Sequence, residues 1–417
     1  MTKRPAAPLL AAFLWVLSLG VSGAETPRFG GELRLRGEGF DNLLDLCDCA
    51  HDSYEFYRFR TRFWVEADPT ERLRIHIGLG NEQRWGRGPN GSGLRDPEGK
   101  IALEAGWAVL RGPEGSGVSL KIGRQNLMFG EGFLVFDGTP ADGSGSAYFD
   151  AIRLMWEGHG FSADLLTAKL DDEAFGTEAR DEDLYALFGR REAIEAYLLH
   201  RDQRGETRRA GGAVHPKQHT TALGGRFAHN PETGMHLIGE GAIQTGERGE
   251  VDRAAQGGYL RWGWTAPWRL RPAVEIGTLY LSGDDPGTED YEGWDGFYSE
   301  WPKYSELLVY TLYDNTTRIA GDAPGTWTNL RGSWLELRVR PARRVAASVR
   351  ATRFLAVEKT GPGDGDVRGN LLAVRCDVAL MEKVVGQVVG ELFDPGDFYA
   401  DGSDAAWYGR WQITTRF

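Results

Sequence analysis

The 417-residue chain has a formal charge of −12, with 57 glycines and 14 tryptophans. That acidic balance argues against nucleic acid as a partner, and no run of 18 apolar residues follows position 24, which excludes a membrane-spanning helix. So many glycines and aromatic residues suit extended strands, tight turns and interfacial rings better than a soluble secreted enzyme.

In chain order, the first element is an export signal. Lys3 and Arg4 precede the apolar run Ala6 to Val21 and the small residues Ser22, Gly23 and Ala24, so cleavage is expected near Ala24. Removing 24 of the 417 residues leaves 393 and moves the charge from −12 to −14, since two bases leave with the signal. Residues 25–417 show no Pro/Ser linker and no change of texture, and read as a single domain. Cys47, Cys49 and Cys376 are too few for a disulfide scaffold, and the Cys47-Asp48-Cys49 spacing is too tight for a usual zinc pair, leaving a strained disulfide or two free thiols.

The following elements alternate with a period of two. Leu33 and Leu35 oppose Arg34 and Arg36; then Tyr57, Phe59, Thr61, Phe63 and Val65 oppose Arg58, Arg60, Arg62, Trp64 and Glu66. After a turn at Asp68-Pro69-Thr70, Leu73, Ile75, Ile77 and Leu79 oppose Arg74, His76, Gly78 and Gly80, which makes a hairpin. The pattern predicts eighteen strands, at 29–39, 53–67, 71–82, 101–111, 116–124, 148–157, 160–169, 182–190, 193–203, 218–228, 234–245, 254–265, 268–281, 329–340, 344–355, 369–380, 383–393 and 404–417. Segments of 10 to 13 residues match a tilted membrane strand. Alternate connections are short, at 68–70, 112–115, 158–159, 191–192, 229–233, 266–267, 341–343 and 381–382, and the others long and often acidic, as at Asp171-Asp172-Glu173, Asp181-Glu182-Asp183 and Asp284-Asp285. The expected fold is an all-β transmembrane antiparallel barrel with short periplasmic turns and long extracellular loops. Tyr304 to Tyr313 resembles a further strand, but one extra crossing would put the 341–343 turn outside. Residues 282–328 are therefore assigned to one outer loop, with twenty strands as the alternative. The final strand, with Trp407, Gly409, Trp411, Ile413, Thr415 and Phe417 on one face, ends in an aromatic residue, as outer-membrane barrels commonly do.

The inward parity collects Arg34, Arg36, Arg58, Arg60, Arg62, Arg74, Lys121, Arg153, Arg261, Arg271, Arg338, Arg340, Arg350, Arg375 and Arg410. The acids are Glu32, Glu38, Glu66, Glu104, Asp164, Glu240, Glu275, Glu336, Asp377 and Glu391. Fifteen bases against ten acids predict a basic constriction that lowers the barrier for anions, while pairing between the two sets would stiffen the wall. The run Gly123-Arg124-Gln125-Asn126-Leu127-Met128-Phe129-Gly130-Glu131-Gly132 continues to Phe133, Phe136, Asp137 and Pro140, and is dense in bend-forming residues. Folded into the barrel mouth it would narrow the pore, with Arg124, Gln125 and Asp137 near the lumen and Gln125, Phe129, Glu131, Phe136 and Asp137 as constriction residues; an external loop packed on its neighbours is the alternative.

This run, followed by Tyr148-Phe149-Asp150-Ala151-Ile152-Arg153, resembles the signature of the bacterial alginate-export barrel family: a strand, a Gly-Arg-Gln element, then a Phe-Gly-x-Gly-x-x-x-Phe-Asp-Gly loop. The resemblance implies an eighteen-stranded, monomeric outer-membrane barrel with an electropositive pore for a polyuronate. By motif position its selectivity region would include Arg58, Arg60, Arg124, Arg153 and Asp150. It also implies outer-membrane lipid, the barrel-assembly machinery and a periplasmic export partner as contacts. A general, small-anion or organic-acid porin of the same fold is the alternative, and a structural or adhesive barrel a further one. No enzyme is expected: His159, His200, His215, His219 and His236 are dispersed, and neither a Gly-x-Ser-x-Gly elbow nor a His-x-x-x-His metal pair occurs, so no metal or cofactor is expected.

Overall fold

Polar and apolar side chains alternate along each strand because successive Cβ atoms point to opposite faces, and here the alternation closes into a wall. The computed structural model describes residues 26–43, 46, 53–88, 93–95, 101–136, 149–170, 182–204, 207–208, 214–299, 305–306 and 328–417. The expected export signal, Cys47, Cys49, Asp137, the acidic run 171–173 and all of 304–313 except Ser305 and Glu306 lie outside the described residues.

The wall is built from β1 (Arg28–Asp41), β2 (Tyr54–Thr70), β3 (Leu73–Arg87), β4 (Ala102–Arg111), β5 (Val118–Gln125), β6 (Phe149–Gly158), β7 (Phe161–Leu170), β8 (Glu182–Arg191) and β9 (Ile194–Gln203). It continues through β10 (Gln218–His229), β11 (Gly234–Arg248), β12 (Val251–Thr265), β13 (Ala273–Leu281), β14 (Leu330–Ala342), β15 (Val345–Leu355), β16 (Val367–Met381), β17 (Val384–Pro395) and β18 (Ala406–Arg416). Each strand pairs antiparallel with the next, and β18 returns to β1 in a register that sets Glu32 opposite Arg416 and Asp41 opposite Trp407. This is a closed eighteen-strand barrel; closure is what lets strands cross hydrocarbon, since an open edge would leave N–H and C=O groups unpaired in lipid. A short strand, Gly93–Arg95, extends the sheet beside β3, and Thr207–Arg208 pairs with Val214–His215 in an outer connection.

The two faces sort as a membrane requires. Leu165, Ile243 and Val388 are each more than half exposed, whereas Arg34, Arg36 and Arg60 are almost wholly buried. A soluble sandwich would invert that. Exposed aromatic residues gather in two groups: Tyr57 with Trp85 and Trp411 toward the long loops, and Trp264 with Trp268 at the short turns.

Several turns sit elsewhere than expected. β2 runs through Pro69, with its register shifting between Ala67 and Thr70, so the turn is 71–72 and not 68–70. Pro341 lies in a matching irregularity between Val339 and Ala342, and another between Ala379 and Met381 moves the last short turn to 382–383. Proline has no N–H for the ladder, and a bulge leaves one residue unpaired, so Pro69 and Pro341 sit at bulges. The same chemistry shortens the strand expected at 268–281 to Ala273–Leu281, because Pro267 and Pro272 bracket a turn in which the Arg271 N–H donates to Trp268 O at 2.8 Å. On the outer side, β11 and β12 are joined by residues 249–250 alone, with Gly249 at φ +68°, where a longer loop was expected.

The chain end seals the barrel. Phe417 N–H donates to Gly31 O at 3.1 Å and Gly31 N–H to Phe417 O at 2.9 Å, extending the β1–β18 ladder by one residue pair. Deleting Phe417 is expected to lower the fraction of barrel that migrates as the compact, heat-modifiable form on gels several-fold; an unchanged fraction would show that closure needs only the pairs from Glu32 onward.

Candidate functional site

Side chains of β1 to β4 and β18 build a packed ionic wall on the inner face. Arg58 bridges two acids, with Nε 2.8 Å from Glu82 Oε1 and Nη1 3.1 Å from Glu38 Oε1, and Arg34 reaches the other Glu82 oxygen at 2.9 Å. Arg36 lies 3.2 Å from Glu38 and donates to Gln412 at 2.8 Å; Arg60 holds Glu32 through Nε at 3.1 Å and through Nη2; Arg62 lies 2.8 Å from Glu104. Buried ions persist only when paired, and these arginines are both inward and paired. Arg74 sits lower, near the short turns, bidentate on Asp68 at 2.8 and 2.9 Å.

Arg124 and Asp150 do not join them. They pair bidentately at 2.8 Å, but on the parity of Ile122 and Ile152, both about half exposed, so the pair faces outward. Neighbouring strand residues cannot share a face. Gln125 is the one turned inward, buried with its amide donating to Gly123 O and Ala151 O. Arg153 also faces in, 2.7 Å from Asp164 and over the Phe129 ring at 6.0 Å.

Two outer loops enter the lumen. Residues 126–136 fold as a small hairpin in which Met128 bridges Phe136 and the Gly132 N–H donates to Phe129 O at 2.8 Å. Gly130 at φ +58° supplies the positive φ that a type II′ turn requires at its first central position, leaving Glu131 at the tip. Phe129 stacks on Phe188 of β8 with centroids 4.7 Å apart, and Phe133 packs on Trp294 at 5.2 Å and Tyr259 at 5.6 Å. Phe136 is buried as well. Trp294 belongs to the second loop, whose Tyr298 N–H donates to Leu134 O at 3.0 Å and whose Ser299 Oγ donates to Gly132 O. Asp295 anchors that loop to the wall: Arg201 pairs with it, Thr220 donates to it at 3.3 Å, Arg253 lies at 3.8 Å, and Gln244 bonds its backbone at both ends. Burial pushes the Asp295 carboxyl up, but Arg201 and Arg253 outweigh it and hold the group below the usual carboxylate range. The external-loop alternative for 126–136 is therefore not what the chain adopts.

Beneath these loops a cavity of about 660 Å³ opens toward the short turns. Arg261, Arg271, Arg338, Arg340, Arg350, Arg375 and Arg410 line it, facing seven carboxylates: Glu131, Glu232, Glu275, Glu306, Glu336, Asp377 and Glu391. Of the residues counted from parity this cavity takes seven bases and four acids, and the excess is absent because Glu131 and Glu306 arrive on loops and Glu232 on a turn, where it pairs with Arg271 at 3.2 Å. Within the cavity Arg338 lies 3.0 Å from Glu275, Arg350 2.9 Å from Glu336, and Arg410 3.1 Å from Glu306.

Parity counting passed over Arg201, Arg226 and Tyr259, which stand inward on expected strands, and Asp295, for which a loop sequence gives no signal. Among the described residues no cluster of His, Cys, Asp and Glu could hold a metal ion. Cys376 is a free thiol.

Solved structures of this shape include Pseudomonas aeruginosa OprD, with a TM-score of 0.59, 10% identity and coverage of 95% of this chain and 97% of that one. P. aeruginosa OccK7 (OpdD) gives 0.58 at 14% identity over 94% and 98% of the two chains, and OccK11 (OpdR) 0.58 at 12% over 94% and 96%. At such identities the likeness concerns the fold alone. No curated protein matches the sequence. A family model described as Alginate export matches residues 26–412. The chain thus belongs to the alginate export family and is an outer-membrane β-barrel channel of a Gram-negative cell.

Proposed function

We propose that this channel passes carboxylate-bearing solutes, and that its main cargo is an anionic polysaccharide of the polyuronate type leaving the periplasm as an extended chain. The observation that carries the reading is the arrangement of Arg261, Arg338, Arg350, Arg375 and Arg410 around one cavity, each on a different strand and spaced among acids. A polyuronate presents one carboxylate per sugar. Each would exchange a guanidinium's wall partner for itself and hand it back on advancing, so the polymer meets many shallow wells where an uncompensated basic site would hold it fast. Chain growth and delivery fall to periplasmic partners, and the channel contributes binding and passage without catalysis.

A small organic-acid porin is the second reading. It is favoured by the cavity itself, whose 660 Å³ falls in the range of about 300–1,000 Å³ typical of small-molecule sites. Current block in planar bilayers separates the two. Uronate oligomers are expected to give transient blocks that lengthen with chain length, with neutral oligomers of equal length giving none. Equal block by both, or by neither, would overturn the polyanion assignment; block by monomeric acids without length dependence would select the organic-acid porin.

A further inference from the structure

Glu131 is the member of the cavity wall that the hairpin 126–136 brings in from the outer side. The hairpin 126–136 carries it across the lumen to β10 and β12, where Arg261 Nη2 pairs with Oε2, the Tyr259 hydroxyl donates to Oε2 at 3.2 Å and Arg226 Nη2 lies 3.3 Å from Oε1. Arg226 and Tyr259 are held in place from behind: Arg226 by Glu195 at 3.2 Å, and Tyr259 by Glu240, whose Oε2 lies 3.1 Å from the same hydroxyl and competes with Glu131 for its one proton; Tyr197 donates to Glu240 at 3.1 Å. Arg226 and Tyr259 would thus keep their geometry without Glu131. The Glu131 side chain remains 29% exposed and, with Arg261, lines the cavity.

We propose that Arg261, Arg226 and Tyr259 form a binding site for a solute carboxylate, and that Glu131 occupies it as a tethered stand-in that an incoming carboxylate displaces. This rests on the reading that carboxylates pass through the channel. The placement supports it in three ways. Two guanidiniums and a phenol converging on one carboxylate make a site of the kind that recognises free carboxylates. Glu131 stands between Gly130 and Gly132, both at positive φ, so the turn presents its side chain at the tip. The hairpin keeps other anchors, Phe129 on Phe188 and Gly132 O to Ser299, so losing the Glu131 contact frees the tip without requiring the loop to leave.

A tethered ligand competes through its effective concentration, so removing it raises the apparent affinity of a free one. The test measures glucuronate block of single-channel current, with glucose as the neutral control, in the full barrel and in Glu131→Gln and Glu131→Ala. Both variants are expected to lower the half-blocking glucuronate concentration about tenfold, with glucose block unchanged, and Arg261→Gln added to either is expected to reverse the gain. A hairpin that was merely loosened would change conductance and the response to both sugars alike; that result, or an unchanged glucuronate midpoint in both variants, overturns the proposal. The channel reading fails separately: if oligouronates do not block the unaltered barrel but Glu131→Gln still sharpens glucuronate block, the site stands and the polymer assignment falls.

Discussion

Arg201→Ala is expected to release the second loop from the lumen wall. Arg201 is the closest charge partner of the wholly buried Asp295, and Arg253, at 3.8 Å, is too distant to replace it. Breaking a buried ion pair from one side costs roughly 3–5 kcal/mol, mostly because the remaining charge is left in a poor solvent. That is set against the docking of one loop and not against the barrel, whose strands pair independently. Proteinase K is therefore expected to cut within 284–299 at least tenfold faster than in the unaltered protein, while the heat-modifiable barrel remains. Arg201→Lys should recover part of the protection.

The pH dependence gives a second reading of the same experiment. In the unaltered chain the docked Asp295 carboxyl lies below its usual range, so its contribution to docking is full above the free-loop value and is lost only as pH falls through the lowered one. Protection should stay flat between pH 7 and about pH 5. Arg201→Ala removes the largest influence that lowers the docked value while burial, which raises it, remains, so the loop should dock better on acidification than it does in the parent. A variant as well protected as the parent, or equally protected at both pH values, would show that Asp295 is not the anchor.

Exchanging Arg58 and Arg60 together for Glu is expected to swing ion preference toward cations. Both side chains are buried against the inner wall, and between them they bind Glu32, Glu38 and Glu82. The double exchange removes two positive charges from that acidic set and adds two negative ones. Over distances below the Debye length of about 8 Å, such a change alters the local potential by enough for a permeability ratio to move on the order of tenfold. Arg34, Arg36 and Arg62 remain on the same face, and β1 and β2 keep their backbone register from Arg28–Glu66 to Phe40–Tyr54, so the barrel is expected to assemble with reduced thermal stability. Reversal potential in a salt gradient is the readout. A folded variant with an unshifted potential would place the ion path along the opposite wall, beside Arg338, Arg350 and Arg410.

The alternation of Tyr57 to Val65 against Arg58 to Glu66, repeated along the chain, determined by itself the strands, their membrane-crossing length and which face meets lipid, because a period of two is a local property of extended backbone. Even there the reading slipped wherever backbone chemistry interrupts the period. Pro69 and Pro341 entered bulges that moved the turns, Pro267 and Pro272 shortened a strand, and Arg124 was counted inward beside Gln125 although neighbours must face apart. The pairs that join the two ends of the chain were decided only by closure of the barrel: Glu32 meets Arg416, and Arg36 donates to the Gln412 amide oxygen. The inward course of the two loops, and with it the placing of Glu131 on Arg261 and of Asp295 on Arg201, was also settled by tertiary structure. A loop has no period to read; its path follows from the apolar surface of Phe129, Phe133 and Trp294 finding cover inside the wall, and that cover exists only once the barrel has closed around it.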